Sequence, residues 1–285
     1  MLKRKASTLV EMLVALTLAA IILAAATSSV LRQQHTHERI AIVSGSDMQI
    51  RGGSAVLANQ LSYIDAAAGD LSAGALRDTA IQFRATVAVA LACQRSAGVV
   101  TLLPDQDGAV PFSGYASLPR AGDSLWFLGD SVWRGARVTA VAEVVASCPA
   151  PFAVVGPALE LTLNGSSDTI PAASPMRVTR QSRYSFYRSG DGTWQLGFRE
   201  WSNASNSFSG PQPVAGPFLR QSDGRKSRFR FFDTVGTELS PDDEIDRRVA
   251  RVRLITYSRA FTRERGQDSV RSDSLDVALQ SARAR

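Results

Sequence analysis

One carboxylate, Glu11, stands at the head of a run in which Thr17 is the only polar residue between Met12 and Ala26. An ionised carboxylate costs a few kcal/mol near the centre of a bilayer, so this glutamate calls for a cationic partner. Elsewhere the reactive residues are sparse. The string Gly122-Asp-Ser-Leu125 could present a serine nucleophile, but a serine hydroxyl needs a neighbouring base. The only histidines are His35 and His37, far upstream of that string, so no Ser–His pair is expected and Ser124 reads as the start of a strand. His35 and His37 are two apart and do not share a helix face, which argues against a metal site. Asp242, Asp243, Glu244 and Asp246, and separately Asp105 and Asp107, could offer oxygen ligands to Ca²⁺. Neither group has the spacing of a calcium loop, and both read as solvated acidic turns. No phosphate-binding loop or dinucleotide fingerprint follows a strand. These observations predict no catalytic residue, no metal and no cofactor.

The element that must position Glu11 is an apolar helix. The run Leu9–Leu31 is long enough, at 1.5 Å per residue, to cross a hydrocarbon core of about 30 Å. Lys3, Arg4 and Lys5 precede it and keep the N-terminus in the cytoplasm. Beyond the membrane, Ile40, Val43, Ile50, Leu57, Leu61 and Ile64 recur at three- and four-residue steps, which predicts an amphipathic continuation. Gly45 and the pair Gly52-Gly53 predict a kink or local melting within it. An ordinary secretory signal cut after Ala24-Ala25-Ala26, or a plain signal anchor, is the alternative. A secretory apolar region is shorter, however, and has no use for a glutamate at its start.

Basic leader, Thr8-Leu-Val-Glu-Met-Leu13 and an uninterrupted apolar helix together resemble the signal of type IV pilins and type II secretion pseudopilins. In that family a basic leader ends in Gly, and the cut exposes Phe-Thr-Leu-Val-Glu. Ala6 stands at the glycine position and Ser7 at the residue that becomes the N-methylated terminus. Glu11 falls on the family's glutamate at the fifth mature position. The resemblance implies cleavage between Ala6 and Ser7 by a prepilin peptidase. It also implies a role in assembly for Glu11: the carboxylate lies about one helical turn from its own chain's new amine, and in a filament an axially displaced neighbour could pair its amine with it. Such a buried pair would set axial register. The implied division is a leader at 1–6, a membrane and filament-core half-helix at 7–31, an amphipathic half at 32–65 and a periplasmic head at 75–285.

Composition fits a secreted globular head. The chain has 285 residues, 45% of them hydrophobic, and its formal charge of +6 falls to +3 once Lys3, Arg4 and Lys5 are gone. That balance gives little reason to expect a nucleic-acid partner. Arginine is nonetheless concentrated late, at Arg220, Arg225, Arg228, Arg230, Arg247, Arg248, Arg251 and Arg253, with Lys226 among them. The choice there is between a solvated sheet face, offset by the acidic 242–246 segment, and a face for a polyanion or an acidic partner. Cys93 and Cys148, the only cysteines, follow the membrane helix and lie on the oxidising side, with one intramolecular pairing open to them. Their loop would contribute up to ~4 kcal/mol if closed. Two free buried thiols are the alternative.

The rest of the chain reads as strand and turn. Period-two alternation and turn signals predict strands over Ala80–Ala90, Val99–Leu103, Ser124–Leu128, Arg137–Val145, Leu159–Leu163, Met176–Arg188, Trp194–Trp201, Ser227–Phe232 and Arg248–Tyr257. Segments Ala66–Gly74, Asn203–Pro213 and Gly236–Asp246 read as loops. The expected class is α+β: a long N-terminal helix packed on antiparallel sheet with one wet face. Arg183–Tyr187, Gly192–Leu196, Pro213–Pro217, Phe229–Asp233 and Val249–Leu254 follow in an order similar to that of PilW-type minor pilins and J-type pseudopilins. The resemblance implies a minor pilin that primes or caps a type IV pilus, its partners being other pilin subunits, the peptidase and inner-membrane lipid. A J-type pseudopilin of type II secretion and a membrane-anchored DNA-uptake subunit are the alternatives.

Overall fold

The computed structural model describes residues 9–72, 74–103, 114–129, 132–149, 152–165, 170–219, 226–240, 247–260 and 269–280. Helix α1 (Leu9–Ser62) is a single element of 54 residues, about 80 Å long at the standard rise. It remains helical through Gly45 and Gly52-Gly53, without the melting expected there. Tertiary packing explains Gly53: a Cβ at this position would come within 2.5 Å of the Ala215 Cβ and 2.6 Å of the Val214 carbonyl oxygen. The bare backbone lets the helix lie directly on a strand, and that packing offsets the propensity cost of glycine.

Fourteen strands follow among the described residues. They are β1 (Ala80–Ser96), β2 (Val99–Leu102), β3 (Gly114–Tyr115), β4 (Ser124–Gly129), β5 (Val132–Ser147), β6 (Val155–Leu163) and β7 (Pro175–Arg188). Then come β8 (Trp194–Ser202), β9 (Ser207–Phe208), β10 (Gln212–Phe218), β11 (Arg228–Phe232), β12 (Glu238–Leu239), β13 (Arg251–Ala260) and β14 (Ser269–Ala278). The α+β architecture is as the sequence implies: an N-terminal apolar helix and an antiparallel β head.

The larger sheet runs β10-β8-β7-β4-β5-β6-β2-β1-β3, with an additional pairing between β7 and β1. That pairing closes a ring of six strands, β1-β7-β4-β5-β6-β2, into a small barrel. Closure leaves those strands without a free edge for stray pairing. The barrel interior is filled by Val87, Ala88, Ala90, Val100, Leu102, Leu125, Phe127, Leu161, Met176 and Val178, among others. A second core lies under the helix. Leu57, Leu61 and Ile64 pack there with Phe83, Tyr184 and Phe186 of the large sheet. Phe229, Phe231, Val252 and Leu254 join them from the smaller sheet, β12-β11-β13-β14. The amphipathic seam is thus realised at Leu57, Leu61 and Ile64; the side chains of Ile40, Val43 and Ile50 lie outside the described residues.

β1 serves both cores because its register shifts between Thr86 and Ala88. Before the shift the odd residues Ile81 and Phe83 face the helix core; after it the even residues Ala88 and Ala90 face the barrel. A bulge reverses the parity of all later side chains, which is what this strand requires.

Tyr184 fastens helix to sheet. Its ring is fully buried, stacks on Phe83 at 5.7 Å, and its hydroxyl donates to the Gln60 Oε1 at 2.7 Å. Burial pushes the phenol above its ordinary range. The folded state therefore holds the neutral form: its stability is complete below the unfolded tyrosine pKa, about 10, and falls as pH rises beyond it. Tyr184→Phe is expected to cost about 1 kcal/mol at neutral pH through the lost hydrogen bond. It should also make the alkaline loss of stability shallower than in the wild type. Urea unfolding at pH 7 and between pH 10 and 11 checks both, and parallel pH profiles for the two proteins would refute the second.

Candidate functional site

The N-terminal half of α1 is the first candidate. Met12–Gln34 is apolar enough to cross a membrane, with mean hydropathy 2.2. Its described side chains, among them Met12, Leu16, Leu18, Ile22 and Leu31, are exposed and touch no part of the head. The helix therefore projects an unsatisfied apolar surface that only lipid or other helices can cover. Ala6 and Ser7 lie outside the described residues. Glu11 lies within α1, and its side chain is outside the described set. His37 is exposed on the helix, and the His35 side chain is likewise not described.

The serine string proves to be something else. Ser124 opens β4 as expected, but the chemistry of the string lies in Asp123. The Asp123 carboxylate accepts from Arg180 Nε and Nη2, each at 2.9 Å, and from the Arg120 backbone N–H at 2.8 Å. Both partners of the ion pair are 3% exposed. Arg180 also reaches Glu200 at 3.2 Å and the Leu118 carbonyl at 2.9 Å. Burial works against the Arg180 charge, but Asp123 and Glu200 outweigh it and hold the pKa above its ordinary value. Along β7, Arg180 and Ser182 sit between the barrel residues Met176 and Val178 and the helix-core residues Tyr184 and Phe186. The pair is a buried polar seam between two apolar cores. A second tie joins the loop after α1 to the barrel: Arg177 donates to Asp70 at 2.7 Å and to the Thr86 hydroxyl at 2.6 Å.

Three arginines of the C-terminal third, Arg230, Arg251 and Arg253, meet carboxylates of their own sheet. Arg230 pairs with Glu238 through two hydrogen bonds, the Nε one at 2.6 Å, and Arg253 donates to Asp276 at 2.8 Å. Arg230, Arg251 and Arg253 all lie over the Phe232 ring, at 5.5, 4.7 and 5.1 Å. The hydrogen bond from Arg230 holds the Glu238 carboxyl below its ordinary range. Among the described residues their counter-charges are Glu238 and Asp276. The acidic 242–246 segment, Asp105 and Asp107, and Arg220 and Arg225 lie outside the described residues. Among the described residues no three His, Cys, Asp or Glu side chains converge as metal ligands would.

Cys93, near the end of β1, is bonded to Cys148, just past β5, with Cα atoms 5.1 Å apart. Leu103, Ala146 and Ala158 pack around the bond and close one end of the barrel. Mass spectrometry of non-reduced, alkylated protein from the periplasmic side should find one Cys93–Cys148 cross-linked peptide. Two alkylated thiols would contradict the bond.

Residues 1–27 match the family model described as the prokaryotic N-terminal methylation motif, the signal of type IV pilins and pseudopilins. The match covers the basic N-terminal residues and the start of the exposed helix and does not extend into the head. No curated protein and no solved structure shows significant similarity to the chain. The motif supports a pilin- or pseudopilin-like role, and the apolar helix is long enough to anchor the chain in a membrane.

Proposed function

We propose that this chain, bearing the pilin and pseudopilin signal, is a minor pilin that primes or caps a type IV pilus after removal of residues 1–6. The observation that carries the reading is the conjunction of the methylation motif with one unbroken helix, exposed and apolar over its first half and packed into the head at Leu57 and Leu61. Such a subunit can exchange lipid for the helices of neighbours without refolding its head.

Size favours a terminal place. Packed helices stand 8–10 Å apart. A head of roughly 200 residues has a radius of gyration of about 16 Å. Heads this broad are crowded if every helix of a filament carries one, and are accommodated at an end, where few copies meet. The same physics serves a J-type pseudopilin, which differs in the machine it joins.

Processing tests the reading. Protein recovered from a host with a prepilin peptidase should begin Ser-Thr-Leu-Val-Glu, from a cut between Ala6 and Ser7, and a host lacking the enzyme should retain the leader. A mature chain starting after Ala26 would indicate ordinary secretion and overturn it.

A further inference from the structure

The outer face of the large sheet carries positive charge that nothing in the described structure neutralises. Strand register aligns Thr86, Thr179, Ser124 and Arg137 in one transverse row on β1, β7, β4 and β5. Arg84 and Gln181 form the next row, and Gln82, Arg183 and Arg199 the one after. Rows two residues apart are separated by about 7 Å. Arg84, Arg137, Arg183 and Arg199 have no carboxylate partner among the described residues. Arg183 and Arg199 face each other directly, an arrangement that is destabilising for like charges. Each also buries an Nε with no hydrogen-bond partner. Burial, then Arg199 and Arg77, push the Arg183 pKa down. The fold thus tolerates an electrostatic cost on this face that it avoids around Phe232.

Beside these rows lies a cleft of about 310 Å³, within the range of small-molecule sites. Arg84 and Arg137 line it, with the side chains of Ser124, Gln181, Trp201 and Asn203. Its acidic lining residue, Asp123, is already engaged by Arg180, so the two remaining guanidinium groups leave the cleft net positive. Both are positioned. Arg84 lies over the Trp126 ring at 4.9 Å, and the Trp126 indole N–H donates to the Thr179 hydroxyl at 3.1 Å. Arg137 Nη2 donates to the Asn203 Oδ1 at 2.5 Å. Asn203 in turn rests against Gly122, whose φ of +91° and missing side chain admit the amide. Planar guanidinium forks held in this way match the oxygens of a carboxylate or a phosphate. Trp201 adds an apolar wall, and the hydroxyls and amides suit a polar ring.

We propose that this cleft binds a small oxyanion-bearing ligand, its carboxylate or phosphate group seated by Arg84 and Arg137, with Arg183 and Arg199 adding long-range attraction. The site lies on the head and is independent of the helix and its assembly.

The test uses full-length protein in detergent micelles, titrated with inorganic phosphate and with glucuronate, and with glucose as the neutral control, at low ionic strength. Binding is read by calorimetry. Saturable binding of phosphate, glucuronate or both, absent for glucose, is expected, and the preferred probe identifies the source of the oxyanion. Arg84→Gln and Arg137→Gln should each weaken binding at least tenfold. Asn203→Asp places a carboxylate against Arg137 and should abolish binding without lowering the thermal midpoint. Arg253→Gln, on the neutralised sheet, should leave binding unchanged. Absence of saturable binding for both anions overturns the proposal. So does affinity that survives Asn203→Asp and both arginine substitutions in folded protein.

Discussion

Asp123→Ala is expected to destabilise the head by about 3–5 kcal/mol, the range for leaving one partner of a buried ion pair uncompensated. Arg180 is 3% exposed and loses two hydrogen bonds of 2.9 Å each. It cannot swing into water without opening the seam between the barrel and the helix core. Glu200 remains at 3.2 Å, with its side chain 32% exposed, and this places the cost toward the lower end. The double variant Asp123→Leu with Arg180→Met removes both charges and keeps apolar volume, so it should be more stable than Asp123→Ala alone. Urea denaturation of the wild type, Asp123→Leu, Arg180→Met and the double variant, analysed as a double-mutant cycle, measures the coupling, with Asp123→Ala unfolded beside them. A loss under about 0.5 kcal/mol for Asp123→Ala would mean that the pair is dispensable. A double variant less stable than Asp123→Ala would show that the charges do more than satisfy one another.

That pair also marks the limit of what the sequence discloses. Alternation makes β1, β7, β11 and β13 legible, because one buried face imposes period two on residues such as Phe229 and Phe231 or Val252 and Leu254. The helix, its membrane half and the seam at Leu57, Leu61 and Ile64 follow from a period of three to four. Ring closure is another matter. It depends on β1 pairing with β7, Ala80 with Ser185, across intervening strands, and no local pattern encodes it. The strands that escape notice have reasons. β3, β9 and β12 are two residues each. β10 contains Pro213, Gly216 and Pro217, and it pairs with a single strand of its sheet, where prolines are tolerated. β14 is mostly polar and buries only one side chain, Val277, among those described within it. The site follows the same division. The signal at Thr8–Leu13 is contiguous and readable. Arg84, Arg137 and Asn203 meet only because two separate strands, β1 and β5, and the turn after β8 fold together. In the sequence Asp123 was the neighbour of a serine; in the structure the carboxylate holds the arginine and the serine begins a strand.

Glu11→Ala is expected to leave head stability unchanged and to reduce incorporation into a filament well over tenfold. The first half follows from the fold: Glu11 lies at the start of a helix whose described contacts with the head begin some forty residues later, about 60 Å along the axis. The second half rests on the proposed assembly role. In a bundle of apolar helices the new terminal amine at Ser7 is a buried charge, and the carboxylate of an axially displaced neighbour is the group able to compensate it. Removing one partner from a dry ion pair costs about 3–5 kcal/mol, and each 1.4 kcal/mol is a factor of ten. Within lipid the amine sits near the interface and can stay hydrated, so anchoring should survive the substitution. The comparison is the ratio of filament-associated to membrane-associated protein for wild type and Glu11→Ala, with Glu11→Gln as a neutral variant of nearly equal size. Both variants should remain in the membrane fraction and fail to leave it. Equal partition of wild type and Glu11→Ala would remove the carboxylate from assembly. Full incorporation of Glu11→Gln with loss of Glu11→Ala would show that a hydrogen bond, and not charge, sets the register.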